Sequence, residues 1–399
     1  MKILFILSQF YPLEGGAERQ ALLLARYLSK KGANIDIITG RWKRKLPRRE
    51  MIQGVQIFRN FTLGQSWNSA LMRYFSGFVY MISLAWFLLV RGPRYEVFHV
   101  HQAFYPAFIS ALLSRILEKP LMIKVGGGGE GNNDLRLMKS GRYPFGKWML
   151  KTILKADRFI AISSQIEKEL IDLGIPEGKI VPIPNGVEIP EAWKQDYKLN
   201  KPGRVVFAGR LNPEKRCDLL IQAILKIINE TSIHCDIFGD GPLKQPLGEE
   251  IDRLGLGSAI RLKGHREDLQ DSLPEYDVFV LPSGAEGMSN ALLEAMARGL
   301  PCVVSGIPPN RDLVDPEHEC GDPGEGEFQV GRCGLFFRPG DSKGLAEALQ
   351  YLCDDEEVRR NIGVNARARI AGDFSIEGVA ERYLALYRQT QEKYENLGA

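Results

Sequence analysis

Two carboxylates, two cations and a helix start flanked by small residues are the groups in this chain that could do chemistry together. Glu286 and Glu294 stand with seven residues between them in the stretch Ser283–Pro301, SGAEGMSNALLEAMARGLP. Arg210 and Lys215 follow the apolar run Val205-Val206-Phe207-Ala208 on one loop. Phosphate is drawn to cations and to the free N–H groups at a helix start. Carboxylates repel phosphate but accept hydrogen bonds from hydroxyls. A ligand with phosphates in the middle and sugars on both sides suits the whole set, which is the description of a nucleotide-sugar. When its diphosphate leaves, two cations and a helix tip stabilise the charge where it develops. Taken by itself E-x7-E is a loose pattern. The same residues then read equally as a buried βα unit whose charges face solvent.

The elements that must position these groups are strands followed by loops and helices. Val278–Leu281 reads as a buried strand closed by Pro282, and Ser289 as the N-cap of a helix. Ala291, Leu292, Leu293, Ala295 and Met296 give that helix an apolar face, and Gly299 and Pro301 stop it. The N-terminus repeats the pattern. Ile3–Leu7 is a strand of the kind buried on both faces, followed by the loop Pro12–Glu18 and a helix from about Ala17 to Lys31. Gly15 and Gly16 let the backbone approach another group closely. Further strands are expected at Asn34–Thr39, Val97–His101, Leu121–Val125, Cys235–Phe238, Ile260–His265 and Pro301–Ser305. Helices are expected over Pro106–Leu117, Arg142–Lys155 and Ala366–Gly398, the last interrupted near Gly372–Ser375. Ile189–Gly203, polar with two prolines, reads as a linker between two α/β halves. Gly126–Gly131 formally matches G-x-G-x-x-G, but Asn132-Asn133-Asp134 follows where a dinucleotide fingerprint opens into a helix. The polar stretch Asp315–Gly334 holds His318, Cys320, Asp322 and Cys333 at irregular spacing, and no metal site is assigned.

Composition bounds the class. At 399 residues, 44% hydrophobic and 25% charged, the chain has room for two to three ordinary globular domains. A net charge of +3 does not point to nucleic acid. The six cysteines form no C-x-x-C pair and read as free thiols. Met1–Ser8 is too short an apolar run for a signal peptide and reads as the first strand.

The segment Glu286–Ala297, EGMSNALLEAMA, closely resembles the donor-binding segment of glycosyltransferase family 4. The resemblance covers nearly the whole chain and is strongest over Val205–Pro301. It includes G-R-L-x-x-x-K at Gly209–Lys215, P-x-x-G-G-x-E at Pro12–Glu18, G-D-G-P at Gly239–Pro242 and IPNGV at Ile183–Val187. It implies an α/β fold of GT-B architecture, two Rossmann-like lobes with an interlobe cleft. The lobes would span residues 1–188 on the acceptor side and 189–372 on the donor side. A C-terminal helix in 373–399 would cross back to the first lobe. The resemblance implies that Glu286 meets the hydroxyls of the transferred sugar as the catalytic-site acid and that Glu294 meets the ribose. Gly287, Met288, Ser289 and Asn290 would face sugar and diphosphate. Arg210 and Lys215 would clamp the diphosphate, and Gly15 and Gly16 would face the donor. His101 ends an H-x-H strand like one the family places near the cleft, which gives it a possible site role. Where many members carry a histidine after the Leu121–Val125 strand, this chain has glycines and Glu130, and the acceptor side departs there.

The implied activity is retaining transfer of a hexosyl group from a nucleotide-diphosphate sugar, such as a UDP- or GDP-sugar, to a glycan or lipid-linked glycan. Polysaccharide or lipopolysaccharide biosynthesis is the setting this suggests. No D-x-D pair is present, so no metal is expected, and no cofactor. An epimerase acting on the nucleotide-sugar, and a catalytically silent binding or scaffold protein of the same fold, are the alternatives. The basic run Arg41–Arg49 and the apolar, aromatic-rich segments Trp67–Phe75 and Gly77–Val90 predict peripheral contact with an anionic membrane, at the inner face of the cell membrane. The apolar run of Gly77–Val90 is shorter than the ~20 residues a spanning helix needs, and taken alone it reads first as a core helix and second as the continuation of an interfacial one.

Overall fold

The computed structural model describes residues 1–12, 15–64, 70–128, 134–141, 143 and 145–398, without the side chains of 70–74, 393 and 395–398. Two compact units emerge, Met1–Gly186 with Ile376–Ala399, and Val187–Ser375. The first divide falls just before the expected 188/189 and the second just after 372/373. The reason is a short parallel pairing. Val187 donates its N–H to Phe374 O and bridges Ser375, which keeps both residues with the second unit.

The first unit holds β1 (Lys2–Ile6), β2 (Asn34–Gly40), β3 (Arg49–Ile52), β4 (Val55–Asn60), β5 (Val97–Val100), β6 (Leu121–Val125), β7 (Arg158–Ala161) and β8 (Ile180–Pro182). They lie in the order β3-β4-β2-β1-β5-β6-β7-β8. All pairs are parallel except β3 with β4. Parallel strands are buried on both faces, and Ile3 to Leu7 are fully buried. Ile3, Phe5 and Leu7 share a core with α1 (Gly16–Lys30) and with Ile376, Val379 and Tyr383 of the C-terminal helix Ile376–Gly398. That helix therefore folds with the first unit. The alternate side chains face the other way, towards a layer of α2 (Ala70–Arg91), α3 (Tyr105–Ile116) and α4 (Gly146–Ile153). The arginine run was not expected to enter a strand, yet Arg49–Ile52 turns back on Val55–Asn60. Gln53 and Gly54 both take positive φ, 48° and 82°, the geometry of a two-residue hairpin loop.

The second unit holds β9 (Gly203–Ala208), β10 (Ile233–Phe238), β11 (Ile260–Gly264), β12 (Val278–Leu281), β13 (Cys302–Ser305), β14 (Phe328–Gly331) and β15 (Gly334–Phe337). Their order is β11-β10-β9-β12-β13-β15-β14, parallel except for the edge strand β14. Part of the polar insertion at 315–334 thus becomes a hairpin strand. The helices that matter for the site are α5 (Cys217–Ile227) and α6 (Asn290–Ala297). Each sheet reverses its winding beside its first strand, between β1 and β5 and between β9 and β12. Open α/β sheets bind ligands outside the C-terminal ends of the strands at such a point.

Candidate active site

The loops that leave β9 and β12 flank the reversal point of the second sheet, and they carry the cations and the acids. After β9 the chain runs through Gly209 and Arg210 to a single turn, Pro213–Lys215, and Arg216 in the left-handed region leads into α5. This loop is laced onto the one after β10. Gly209 N donates to Phe238 O, Leu211 N to Asp240 O, and Leu243 N to Leu211 O. The lacing explains the G-D-G-P run. A Cβ on Gly239, at φ 139°, would sit 1.8 Å from Gly209 O, and one on Gly241 would sit 2.3 Å from Leu211 O. Only glycine lets the two backbones come so close.

The loop after β12 is tied to the same turn, because Gly284 N donates to Glu214 O at 2.8 Å. That tie brings Lys215 Nζ to Glu286 Oε1 at 2.5 Å, with side chains 17% and 10% exposed. Arg210, on the same loop, is exposed; its carbonyl accepts from Asn212 N, and its guanidinium takes no partner among the described residues. Ser289 caps α6 as its spacing predicts, its Oγ accepting from Leu292 N. Met288 and Ser289 are buried, while Gly287, Asn290 and Glu294 are half-buried. Asn290 and Glu294, four apart, share the outward face of α6. Arg298, one turn further, is buried and donates to Glu294 O and to Gln270 Oε1. Burial pulls its guanidinium below the usual range, and the carboxylates of Glu294, Asp271 and Glu188 oppose that pull.

Beneath the Ser283–Ser289 loop lies a polar scaffold that the sequence did not single out. Ser305 Oγ donates to Ser283 O, and Asn310 Nδ2 donates to Ser305 O and Oγ at 3.0 and 3.2 Å. Asn310 and Ser283 are fully buried.

In the first unit Gly15 and Gly16 stand at the start of α1. Gly15 N donates to Glu18 Oε2 at 2.7 Å. Glu18 Oε1 accepts from Gln102 Nε2, and Ser8 Oγ donates to Gln102 Oε1. One carboxylate thus joins the loops after β1 and β5 at the reversal point of the first sheet. Leu13, Glu14 and Gly129–Asn133, with Glu130, lie outside the described residues. His101 is 3% exposed, stacked 4.1 Å from His99 and 4.5 Å from Phe5 between ring centroids. The structure seats it in the core beside His99, which Tyr383 and Tyr387 of the C-terminal helix cover. Burial drives the His99 and His101 imidazoles well below their ordinary range, and the neighbouring Lys124 adds to this. Lys124 is itself 5% exposed, and burial pulls its ammonium down to about 7. All six cysteines are free.

Two Rossmann-like units of this topology, with a cation–carboxylate loop pair at the reversal point of the second, define a glycosyltransferase of the GT-B fold. The family described as "Glycosyl transferases group 1" matches residues 190–369, and "Glycosyltransferase Family 4" matches residues 14–190. The chain belongs to glycosyltransferase family 4. It is 29% identical over 323 residues to UDP-Gal:alpha-D-GlcNAc-diphosphoundecaprenol alpha-1,3-galactosyltransferase of Escherichia coli, covering 77% of this chain and 78% of that one. It is 24% identical over 392 residues to N-acetyl-alpha-D-glucosaminyl L-malate synthase of Bacillus anthracis, covering 94% of each. Among solved structures, HepE of Anabaena in complex with UDP superposes with a TM-score of 0.74 at 19% identity, over 98% of this chain and 100% of that chain. Sucrose-phosphate synthase of Thermosynechococcus elongatus superposes at 0.76, also at 19% identity, over 98% and 99%.

Proposed function

We propose that this chain is a retaining hexosyltransferase that takes its sugar from a nucleotide-diphosphate donor and needs no metal. The observation that carries the reading is the Lys215–Glu286 pair at the reversal point of the second sheet. The guanidinium of Arg210 on the same loop is unpaired among the described residues, and the capped start of α6 follows Glu286 in the chain. A diphosphate entering there meets two cations and the helix N–H groups. These take the place a divalent metal has in other transferases. Glu286 accepts from hydroxyls of the hexose and Glu294 from the ribose, while the backbone of Gly287–Asn290 approaches the sugar and phosphates. In the transfer step the bond from the anomeric carbon to the phosphate oxygen breaks. The bond to the acceptor oxygen forms on the same face, and the acceptor proton passes to the departing phosphate oxygen. Such a step asks the protein for positioning and for charge stabilisation rather than for a strong base.

The acceptor is a glycan or a lipid-linked glycan. The Escherichia coli relative, whose name specifies a diphosphoundecaprenol-linked acceptor, supports this reading. The protein works in the cytoplasm at the inner face of the cell membrane, where such an acceptor is presented. Incubation with UDP- and GDP-hexoses tests the proposal. Acceptor-dependent nucleotide release that persists in EDTA, with a product of the donor's anomeric configuration, is the expected result. An isomerised nucleotide-sugar without acceptor would make it an epimerase. Nucleotide binding with neither reaction would make it a binding protein.

A further inference from the structure

We infer that the layer formed by α2, α3 and α4 is a bilayer-docking face that seats the first unit on anionic lipid. This deepens the reading of a membrane-side transferase and rests on it. Phe75, Phe78, Ile82, Trp86 and Leu89 are 47–71% exposed and recur every three or four residues along one side of α2, a stripe roughly 21 Å long. The opposite side of α2 is core. Tyr80, Leu84, Phe87 and Leu88 are buried, and Tyr80 OH donates to Leu7 O at 2.8 Å. The stripe does not stop at one helix. A Cβ on Gly77 would touch the Tyr105 ring at 3.4 Å, and one on Gly92 would meet Leu117 Cδ1 at 2.8 Å, so α3 lies close along α2. Phe108 of α3 packs on Trp148 of α4 at 4.8 Å between ring centroids. Ile116, Phe145 and Trp148 are 70%, 81% and 58% exposed and extend the apolar face across the layer. Ten of the seventeen large hydrophobic side chains exposed among the described residues belong to this layer and the residue that caps α4. Soluble surfaces rarely gather apolar side chains in this way without a partner.

Charge says which partner. The segments of α2, α3 and α4 contain no Asp or Glu. From Arg41 to Tyr95 the sequence has ten Lys and Arg against Glu50 alone. Structure brings this charge to the edge of the layer. Arg49 at the end of the basic run and Arg91 at the end of α2 both lie over the Phe58 ring, at 5.4 and 5.0 Å. Arg115, Lys147 and Lys151 are exposed on α3 and α4. An apolar face with aromatic side chains, basic edges and no acids is complementary to an anionic bilayer surface. It offers a protein partner's polar rim little to bind. The segment Phe75–Arg94 is apolar and long enough to cross a bilayer by length and composition. Its inner half is occupied in holding the sheet, which leaves the outer half to lie in the interface.

The test is flotation of the full chain with phosphatidylcholine vesicles, with and without phosphatidylglycerol. Wild type should float with the anionic vesicles. Ile82→Ser with Trp86→Ser should lower partitioning at least about tenfold. Ile116→Ser with Trp148→Ser, on the neighbouring helices, should do the same in a separate variant. Circular dichroism melts of both should match wild type. Nucleotide release to a water-soluble acceptor, assayed without vesicles, should be unchanged in both. That assay separates a failure of the docking face from a failure of the transferase reading. Undiminished flotation of the variants overturns the proposal. So does retention of wild type in vesicles after alkaline carbonate, which would mean a spanning helix. So does a dimer abolished by these substitutions in a chain that never floats, which would make this face a contact between two copies.

Discussion

Removing the amine of Lys215 probes the site most directly, because its partner is already in place. In the free protein Lys215 neutralises Glu286, a carboxylate only 10% exposed. A charge-assisted hydrogen bond from an ammonium contributes about 1.5–3 kcal/mol, or roughly 10- to 150-fold in affinity. Lys215→Met therefore loses that much nucleoside-diphosphate binding directly. It also leaves Glu286 bare beside the incoming phosphates. Two like charges about 4 Å apart at an effective dielectric near 20 repel by up to about 4 kcal/mol, so the total loss should exceed the hydrogen-bond term alone. Neutralising the acid separates the two contributions. In the Lys215→Met background Glu286→Gln should restore about tenfold of nucleotide affinity, whereas in the wild-type background it should restore none. Titration calorimetry with UDP and GDP on the four proteins measures the cycle. If Lys215→Met leaves the Kd of both nucleotides within a factor of two of wild type, the diphosphate does not lie against this lysine and the site assignment fails.

Glu294→Ala should weaken nucleotide binding about tenfold through loss of hydrogen bonds to the ribose, with an unchanged melting temperature; equal UDP affinity would remove Glu294 from the ribose role. Gly239→Ala should destabilise the second unit by about 3 kcal/mol or more in urea unfolding, since its Cβ would stand 1.8 Å from Gly209 O; a wild-type midpoint would mean the two loops are not laced. Lys124→Met should stabilise the first unit at neutral pH, by up to about 3–5 kcal/mol. The unfolded lysine keeps its proton up to its ordinary value of 10.5 and the folded one releases it at about 7, so wild-type stability rises with pH across that window and is lowest below it. The variant should lack that rise, and parallel pH profiles in urea unfolding would refute the buried, proton-shedding lysine.

How much of this was legible in the sequence depends on how local each signal is. Ser289 as N-cap and Gly299 after α6 are signals within a few residues, and the structure reproduces them. The two-prolined stretch Ile189–Gly203 packs within the second unit, where Lys194 and Tyr197 donate to Tyr276 O and Gly299 O. The type of each half was legible too, because strands buried on both faces read as apolar runs. Which strands become neighbours was not. Lys215 and Glu286 are 71 residues apart, and what unites them is the placing of β12 directly beside β9. The burial of His101 was hidden for the same reason. Its neighbour His99 lies against Tyr383 and Tyr387, on a helix that follows the whole second unit in the chain. The hairpin at 49–60 was missed because Gln-Gly is a weaker turn signal than Asn-Gly, although Gln53 takes the same positive φ.

The α2 segment shows a different limit. Gly77–Val90 is apolar on every side, so its periodicity cannot tell an inner face from an outer one. Only the packed structure divides it, with Tyr80 and Leu84 under the sheet side and Ile82 and Trp86 in solvent. A helix that served the core alone would carry polar residues at 78, 82, 86 and 89, because nothing in folding rewards apolar side chains there. Their presence therefore reflects a requirement outside the folded chain. The proposed donor site has the opposite character. Gly239, Gly241, Ser305 and Asn310 are spent wholly inside the fold, holding two loops against each other so that a lysine and a glutamate meet before any substrate arrives. Preorganisation of that kind is what a reaction governed by leaving-group charge requires, since donors fixed in advance need no reorganisation when the charge develops.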